Sequence, residues 1–210
     1  MMLIEGVKVP RFFYGTAWKE RKTKDLVTLA LEQGFRGIDT ANQRKHYNEA
    51  AVGDAIKVLI NRGFITREDL FIQTKFTQLP GQDHRLPYDP QSSLPDQVEQ
   101  SFVSSLKHLG IETIDSYVLH GPSTRSHLGK DDWAVWHTME NIYDSGRTRM
   151  LGVSNVTLQQ LQDLFRGARV PPRFVQNRCF ASRGWDYRIR SFCAANEIIY
   201  QGFSLLTANR

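Results

Sequence analysis

Apolar residues along this chain fall into two kinds of run: short stretches without polar alternation, and longer ones repeating at helical spacing. Leu3 to Pro10 splits about Glu5-Gly6 into two extended pieces, which predicts a small hairpin. Strands are expected over 12–15, 37–39, 70–75, 114–120, 150–154, 174–177 and 198–203. Between them, helices are expected over 23–33, 49–62, 95–109, 133–145, 157–165 and 187–196. Gly34, Gly63 and Gly146 stand where three of these helices should stop. Pro95 suits a first helical turn, and Thr157 suits a cap. Val98, Phe102, Val103 and Leu106 should form the apolar side of their helix. The stretch from Gln78 to Pro95 is rich in Pro, Gly, Gln and Asp and reads as a long loop, a kind of segment that tends to carry function.

Strands alternating with helices give an α/β chain, and strands apolar on both faces belong in a parallel sheet. An open doubly wound sheet and a (β/α) barrel both satisfy that pattern. The first requires a glycine-rich phosphate turn after its first strand, and Gly15-Thr16-Ala17-Trp18 is not one. Polar residues instead close nearly every strand: Asp39, Lys75, His120, Ser154 with Asn155, Gln176 with Asn177, and Ser204. That is the face where a barrel keeps its active site, so the expected fold is a (β/α)8 TIM-type barrel, with residues 1–210 as one domain. Seven strands in 210 residues fall short of the eight strands and ~250 residues usual for that fold. The expectation is therefore an incomplete barrel, lacking its C-terminal part and left with two unpaired edges.

Composition narrows the function classes. With 40% hydrophobic and 23% charged residues the chain can bury a core. Its net charge of +5 is scattered, and the densest cluster, Lys19 to Lys24, contains Glu20 and reads as a solvated helix face. Without a basic stripe interleaved with aromatics, nucleic acid is not an expected partner. Glu5 interrupts the N-terminal apolar residues before a signal peptide could form, and no apolar run is long enough for a bilayer. Cys179 and Cys193 have no metal-ligand spacing and read as small buried hydrophobes. The cytoplasm is the expected compartment, and nothing in the sequence assigns an oligomeric state.

Taken singly, the strand-end residues have plain explanations. Asp39 could pair with any nearby base, Tyr47 could be a packing aromatic, and His120 a satisfied core histidine. Tyr14 is a competing phenol that reads as a core residue. His46, His84, His108, His127 and His137 read as surface residues. Ser154-Asn155 could simply cap the next helix. Lys75 is harder to dismiss, because lysine is rarely buried without a partner.

Taken together, the motifs resemble the aldo-keto reductases over nearly the whole chain. The resemblance rests on Gly37-Ile-Asp-Thr-Ala41, Tyr47-Asn-Glu49, Thr74-Lys75, Asp115-Ser-Tyr-Val-Leu-His-Gly-Pro122, Leu151-Gly-Val-Ser-Asn155, Val175-Gln176 and Gly202-Phe-Ser-Leu-Leu206. It implies a catalytic tetrad of Asp39, Tyr47, Lys75 and His120 that reduces aldehydes or ketones. Tyr47 would give the proton, Lys75 would lower its pKa, Asp39 would hold Lys75, and His120 would donate a hydrogen bond to the substrate oxygen. No side chain donates a hydride, so the implied cofactor is NADPH and the partner a small carbonyl compound. The same resemblance assigns the nicotinamide carboxamide to Ser154, Asn155 and Gln176, and ring stacking to Phe203, where most relatives have tyrosine. It assigns the pyrophosphate to backbone near Ser204 and Leu206, and the nicotinamide ribose to Gly15, Thr16 and Ala17, with Asp39 bordering the cofactor.

Two departures from the family pattern carry expectations. Tyr47 follows Asp39 by eight residues instead of the usual five, so loop 42–46 must bulge to return the phenol. The segment that grips the adenosine 2′-phosphate in relatives is missing, so NADPH is expected to bind weakly or not at all. The alternative function is a catalytically inactive relative with a regulatory or interaction role. A metal hydrolase has no support, since no strand ends in His-x-His or a carboxylate cluster. Trp18 and the 78–95 loop are candidate substrate contacts.

Overall fold

Gly34, Gly63 and Gly146 do end helices, at φ of 95°, 67° and 75°, the left-handed turn that costs glycine nothing. In the computed structural model, which describes residues 2–4 and 6–205, the elements follow the expected order closely. The hairpin is β1 (Met2–Ile4) antiparallel to β2 (Val7–Val9). Seven parallel strands follow: β3 (Phe13–Gly15), β4 (Gly37–Asp39), β5 (Phe71–Phe76), β6 (Ser116–Leu119), β7 (Leu151–Ser154), β8 (Phe174–Arg178) and β9 (Ile199–Phe203). They lie side by side in chain order, with β3 and β9 at the edges of the sheet.

The helices are α1 (Thr23–Glu32), α2 (Glu49–Asn61), α3 (Leu94–Leu109), α4 (Lys130–Asp144), α5 (Leu158–Gly167) and α6 (Tyr187–Ala195). Thr157 caps α5, its hydroxyl accepting from Gln160 N. Helix α4 begins three residues earlier than the pattern indicates, because Lys130-Asp131-Asp132 has no apolar periodicity to read. Val103, expected on the apolar side of its helix, is about half exposed instead. After β8, Ala181–Asp186 forms an unforeseen 3-10 segment with Gly184, Trp185 and Asp186 at positive φ.

Apolar packing is divided so that one end of the sheet stays polar. Val27, Leu31, Val52 and Ile56 of α1 and α2 pack on Ile38 and Ile72. Phe102, Trp136, Leu161 and Cys193 pack with the later strands in a second cluster. A third joins Val9 of the hairpin to Phe71, Met150 and Phe174, at or beside the strand starts. The hairpin thus plugs the N-terminal end of the sheet with hydrophobic residues, and the polar side chains collect at the C-terminal end. Among the described residues, no helix is long and apolar enough to cross a membrane.

The stretch from Gln78 to Pro95 is more ordered than its composition suggests. It contains a 3-10 turn at Leu79–Gly81, and Ser93 caps α3 by accepting from Asp96 N. Tyr88 is buried against Phe76 and donates to Thr77 O at 2.9 Å.

Candidate functional site

The eight-residue spacing from Asp39 to Tyr47 is taken up by one tight turn. Gln43 O accepts from both His46 N, at 3.1 Å, and Tyr47 N, at 3.0 Å, folding the extra residues back on themselves. Asn42 N donates to Lys75 O at 3.2 Å, anchoring the start of the loop to β5. Gln43 Nε2 donates to Gly81 O at 2.6 Å, and Gln82 Nε2 to Asn42 O at 2.9 Å, so the segment after β5 clamps the tyrosine loop. On its outer side Trp18 N donates to His46 O at 2.8 Å, with the two rings 3.7 Å apart. Trp18, Arg44, His46, Tyr47 and Arg85 border a cavity of about 510 Å³ that does not reach Lys75 or His120.

The charged centre lies between β4 and β5, which pair in parallel register. Lys75 is fully buried, and its ammonium donates to Asp39 Oδ1 at 2.7 Å and Thr40 O at 2.8 Å. Burial opposes its charge, but Asp39, with Tyr47 and Glu49, outweighs that and holds the lysine pKa above its ordinary value. The ammonium lies 5.3 Å from the centre of the Tyr47 ring, whose edge meets His120 at a centroid distance of 5.9 Å. Asp39, Tyr47, Lys75 and His120 are therefore brought together.

The electrostatics correct one expectation. Tyr47 has a raised pKa, not a lowered one: burial raises it most, and the opposing pull of Lys75 is smaller. The phenol is held protonated while the neighbouring ammonium remains available to a phenolate. His120 is driven the other way, down to about 3, by burial first and then by Lys75 and His46. Its imidazole is neutral at physiological pH. Two histidines assigned to the surface are partly buried: His46 under Trp18, and His108, whose Nδ1 is 3.3 Å from the buried Glu49 carboxylate. Tyr14 is only half-buried, against the α1–α2 cluster.

The residues assigned to cofactor contacts sit on adjacent strand ends. Ser154 and Gln176 are register partners, and Ser154 Oγ donates to Gln176 O at 2.7 Å. Asn155, at a φ of 56°, donates through Nδ2 to His120 O at 2.8 Å and to Ser154 Oγ at 3.1 Å. Thr16 is buried and its hydroxyl donates to Asp39 O at 3.0 Å, with Gly15 and Ala17 beside it at the end of β3. The Phe203 ring is half-buried, with the Arg178 guanidinium 5.6 Å from its centre. Ser204 follows at a φ of 60°, and Leu206 lies outside the described residues.

Three polar residues belong to this constellation without having been assigned a role in it. Gln73 donates to Asp39 Oδ1 at 2.7 Å and to Gln201 Oε1 at 2.8 Å, linking the acid to β9 across the interior. A glutamine inside the apolar 70–75 run was the signal for it. Glu49, the acid of Tyr-Asn-Glu, is buried and accepts hydrogen bonds from Thr74 and Ser105. Thr77 meets the His120 ring at 2.6 Å, a contact no spacing rule would reveal.

Comparisons with known proteins bear on the family and the fold. Residues 11–208 match the model of the Aldo/keto reductase family. Aldo-keto reductase family 4 member C11 of Arabidopsis thaliana is 32% identical over 96% of this chain and 62% of its own length. Glyoxal reductase of Bacillus subtilis is 30% identical over 97% of this chain and 66% of its own. Among solved structures, an aldo-keto reductase complexed with NADPH superposes with a TM-score of 0.77 at 28% identity, covering 97% of this chain and 62% of that one. The first of these relatives thus extends well beyond the span this chain matches, at 62% of its length.

Proposed function

Since the chain belongs to the aldo/keto reductase family, we propose that its site reduces an aldehyde or ketone to an alcohol with NADPH. The observation that carries this reading is the fully buried Lys75, held 2.7 Å from Asp39 and 5.3 Å from the Tyr47 ring. A buried ammonium is costly without a partner, and this one has a carboxylate on one side and a phenol on the other. Tyr47 rests protonated and so can give a proton to a carbonyl oxygen. The phenolate left behind is stabilised by Lys75, which Asp39 keeps charged and fixed. His120, being neutral, binds the same oxygen as a hydrogen-bond donor rather than as a second acid.

The polar side chains at the ends of β7 and β8 suit a primary carboxamide, which both donates and accepts hydrogen bonds. Ser154, Asn155 and Gln176 offer a hydroxyl and two side-chain amides on neighbouring strands, as the nicotinamide group requires. A bound nicotinamide supplies the hydride that no residue can. NADP(H) enters this reading from the relatives: the 28%-identical structure is complexed with NADPH. The substrate is a small carbonyl compound.

The test is NADPH oxidation with an aromatic aldehyde such as a nitrobenzaldehyde, comparing the wild-type chain with Tyr47→Phe. The reading requires measurable turnover that falls at least a hundredfold in the variant, the scale of a lost general acid. Equal rates in both proteins would refute it.

A further inference from the structure

We infer that Thr77 is a positioning residue that fixes the tautomer of His120, its hydroxyl donating to Nδ1 so that the ring carries its proton on Nε2. The inference rests on the reductase reading only for its consequence. The hydrogen-bond assignment stands on geometry alone.

Thr77 Oγ1 lies 2.6 Å from His120 Nδ1, and the threonine is buried. Both partners are held from behind. Thr77 O accepts from Tyr88 OH at 2.9 Å and Gln82 Nε2 at 3.2 Å. His120 N donates to Phe76 O at 2.9 Å, and His120 O accepts from Asn155 Nδ2 at 2.8 Å. The short contact is therefore set by the scaffold, not by a free rotamer.

A neutral imidazole has one N–H, so only two arrangements are open. If Nδ1 carried the proton, it would donate to Thr77 Oγ1. The threonine O–H would then need another acceptor, and among the described residues the hydroxyl has no second partner. A buried hydroxyl without an acceptor is costly. If Thr77 donates instead, its one proton and the Nδ1 lone pair are both satisfied. The ring proton then sits on Nε2, which becomes a donor. A carbonyl oxygen can accept from that donor, whereas an Nε2 lone pair would repel it. The residue two positions beyond Lys75 thus decides whether His120 attracts or repels the substrate oxygen.

The experiment is long-range 15N–1H correlation NMR on histidine-labelled protein at neutral pH, with His120→Gln assigning the signals. Wild type should show Nδ1 unprotonated but displaced by an accepted hydrogen bond, and Nε2 protonated. Thr77→Val should move Nδ1 to the position of an unbonded nitrogen, and Thr77→Ser should restore it. Turnover should fall about tenfold in Thr77→Val, the scale of one oriented hydrogen bond, and recover in Thr77→Ser. A protonated Nδ1 in wild type overturns the assignment, as does an Nδ1 signal indifferent to Thr77→Val. If wild type turns over no carbonyl compound, the reductase reading fails while the spectrum still decides the tautomer.

Discussion

The ammonium of Lys75 sits 2.7 Å from Asp39 Oδ1, and neither group is more than slightly exposed. Removing one partner strands the other, so Lys75→Met should destabilise the fold by about 3–5 kcal/mol, as for other broken buried pairs. It should also push the Tyr47 pKa further up, since the lysine is what opposes burial there. Ultraviolet titration of tyrosinate, with Tyr47→Phe as the blank, reads the shift. Identical Tyr47 titrations in wild type and Lys75→Met would remove Lys75 from the phenol's environment.

His120 links the site to acid stability. Its pKa is about 3 in the fold, against an ordinary 6.5. Between those values the unfolded chain binds a proton that the folded one refuses, so stability falls as pH drops through the window and is full above it. The whole difference is at most about 5 kcal/mol, taking roughly 1.4 kcal/mol per unit. From neutral pH to about pH 4.5, wild type should lose roughly 2–3 kcal/mol more than His120→Gln. Urea unfolding at the two pH values measures it, and equal losses in both proteins would mean the imidazole is charged when folded.

Much of this was legible in the sequence because the relevant chemistry is written locally. Gly37-Ile38-Asp39 is a strand with those bounds, and Asp39, Tyr47, Lys75 and His120 meet although the tyrosine spacing is unusual. The turn at Gln43 that absorbs the extra residues is built from backbone hydrogen bonds, which leave no mark in residue types. Long-range polar contacts were equally invisible: Gln73 to Gln201 spans 128 positions. The direction of the Tyr47 pKa was missed for a different reason. Naming a cationic neighbour is possible from sequence, but the depth of burial that outweighs it is not.

Glu49 joins three elements from the first turn of α2. Its carboxylate accepts from Thr74 on β5 and from Ser105 on α3, and meets His108 Nδ1 at 3.3 Å. Glu49→Ala would leave two buried hydroxyls and a ring nitrogen without their acceptor. The expected cost is about 2–4 kcal/mol in urea unfolding. Glu49→Gln keeps the shape and one acceptor oxygen and should cost less than half as much. If alanine proves as stable as wild type, water must replace the carboxylate freely and the site is more open than it stands.

Gly53 marks the place where α2 and α3 touch backbone to backbone. A Cβ there would lie 2.1 Å from His108 O and 3.0 Å from Leu109 Cα, both main-chain atoms that cannot rotate away. Alanine is the better helix former by about 1 kcal/mol, so on propensity alone Gly53→Ala should stabilise α2. The steric demand runs the other way: the helices must separate, and overpacking of this kind costs about 1–3 kcal/mol or more. Because Glu49 lies one turn earlier on α2 and holds Ser105, the separation should also loosen the Tyr47 loop. Net destabilisation of at least 1 kcal/mol is expected, with faster amide exchange over residues 42–49. Gly53→Ala raising the unfolding midpoint would show that α2 and α3 can part without strain, and that the crossing does not set the position of the tyrosine.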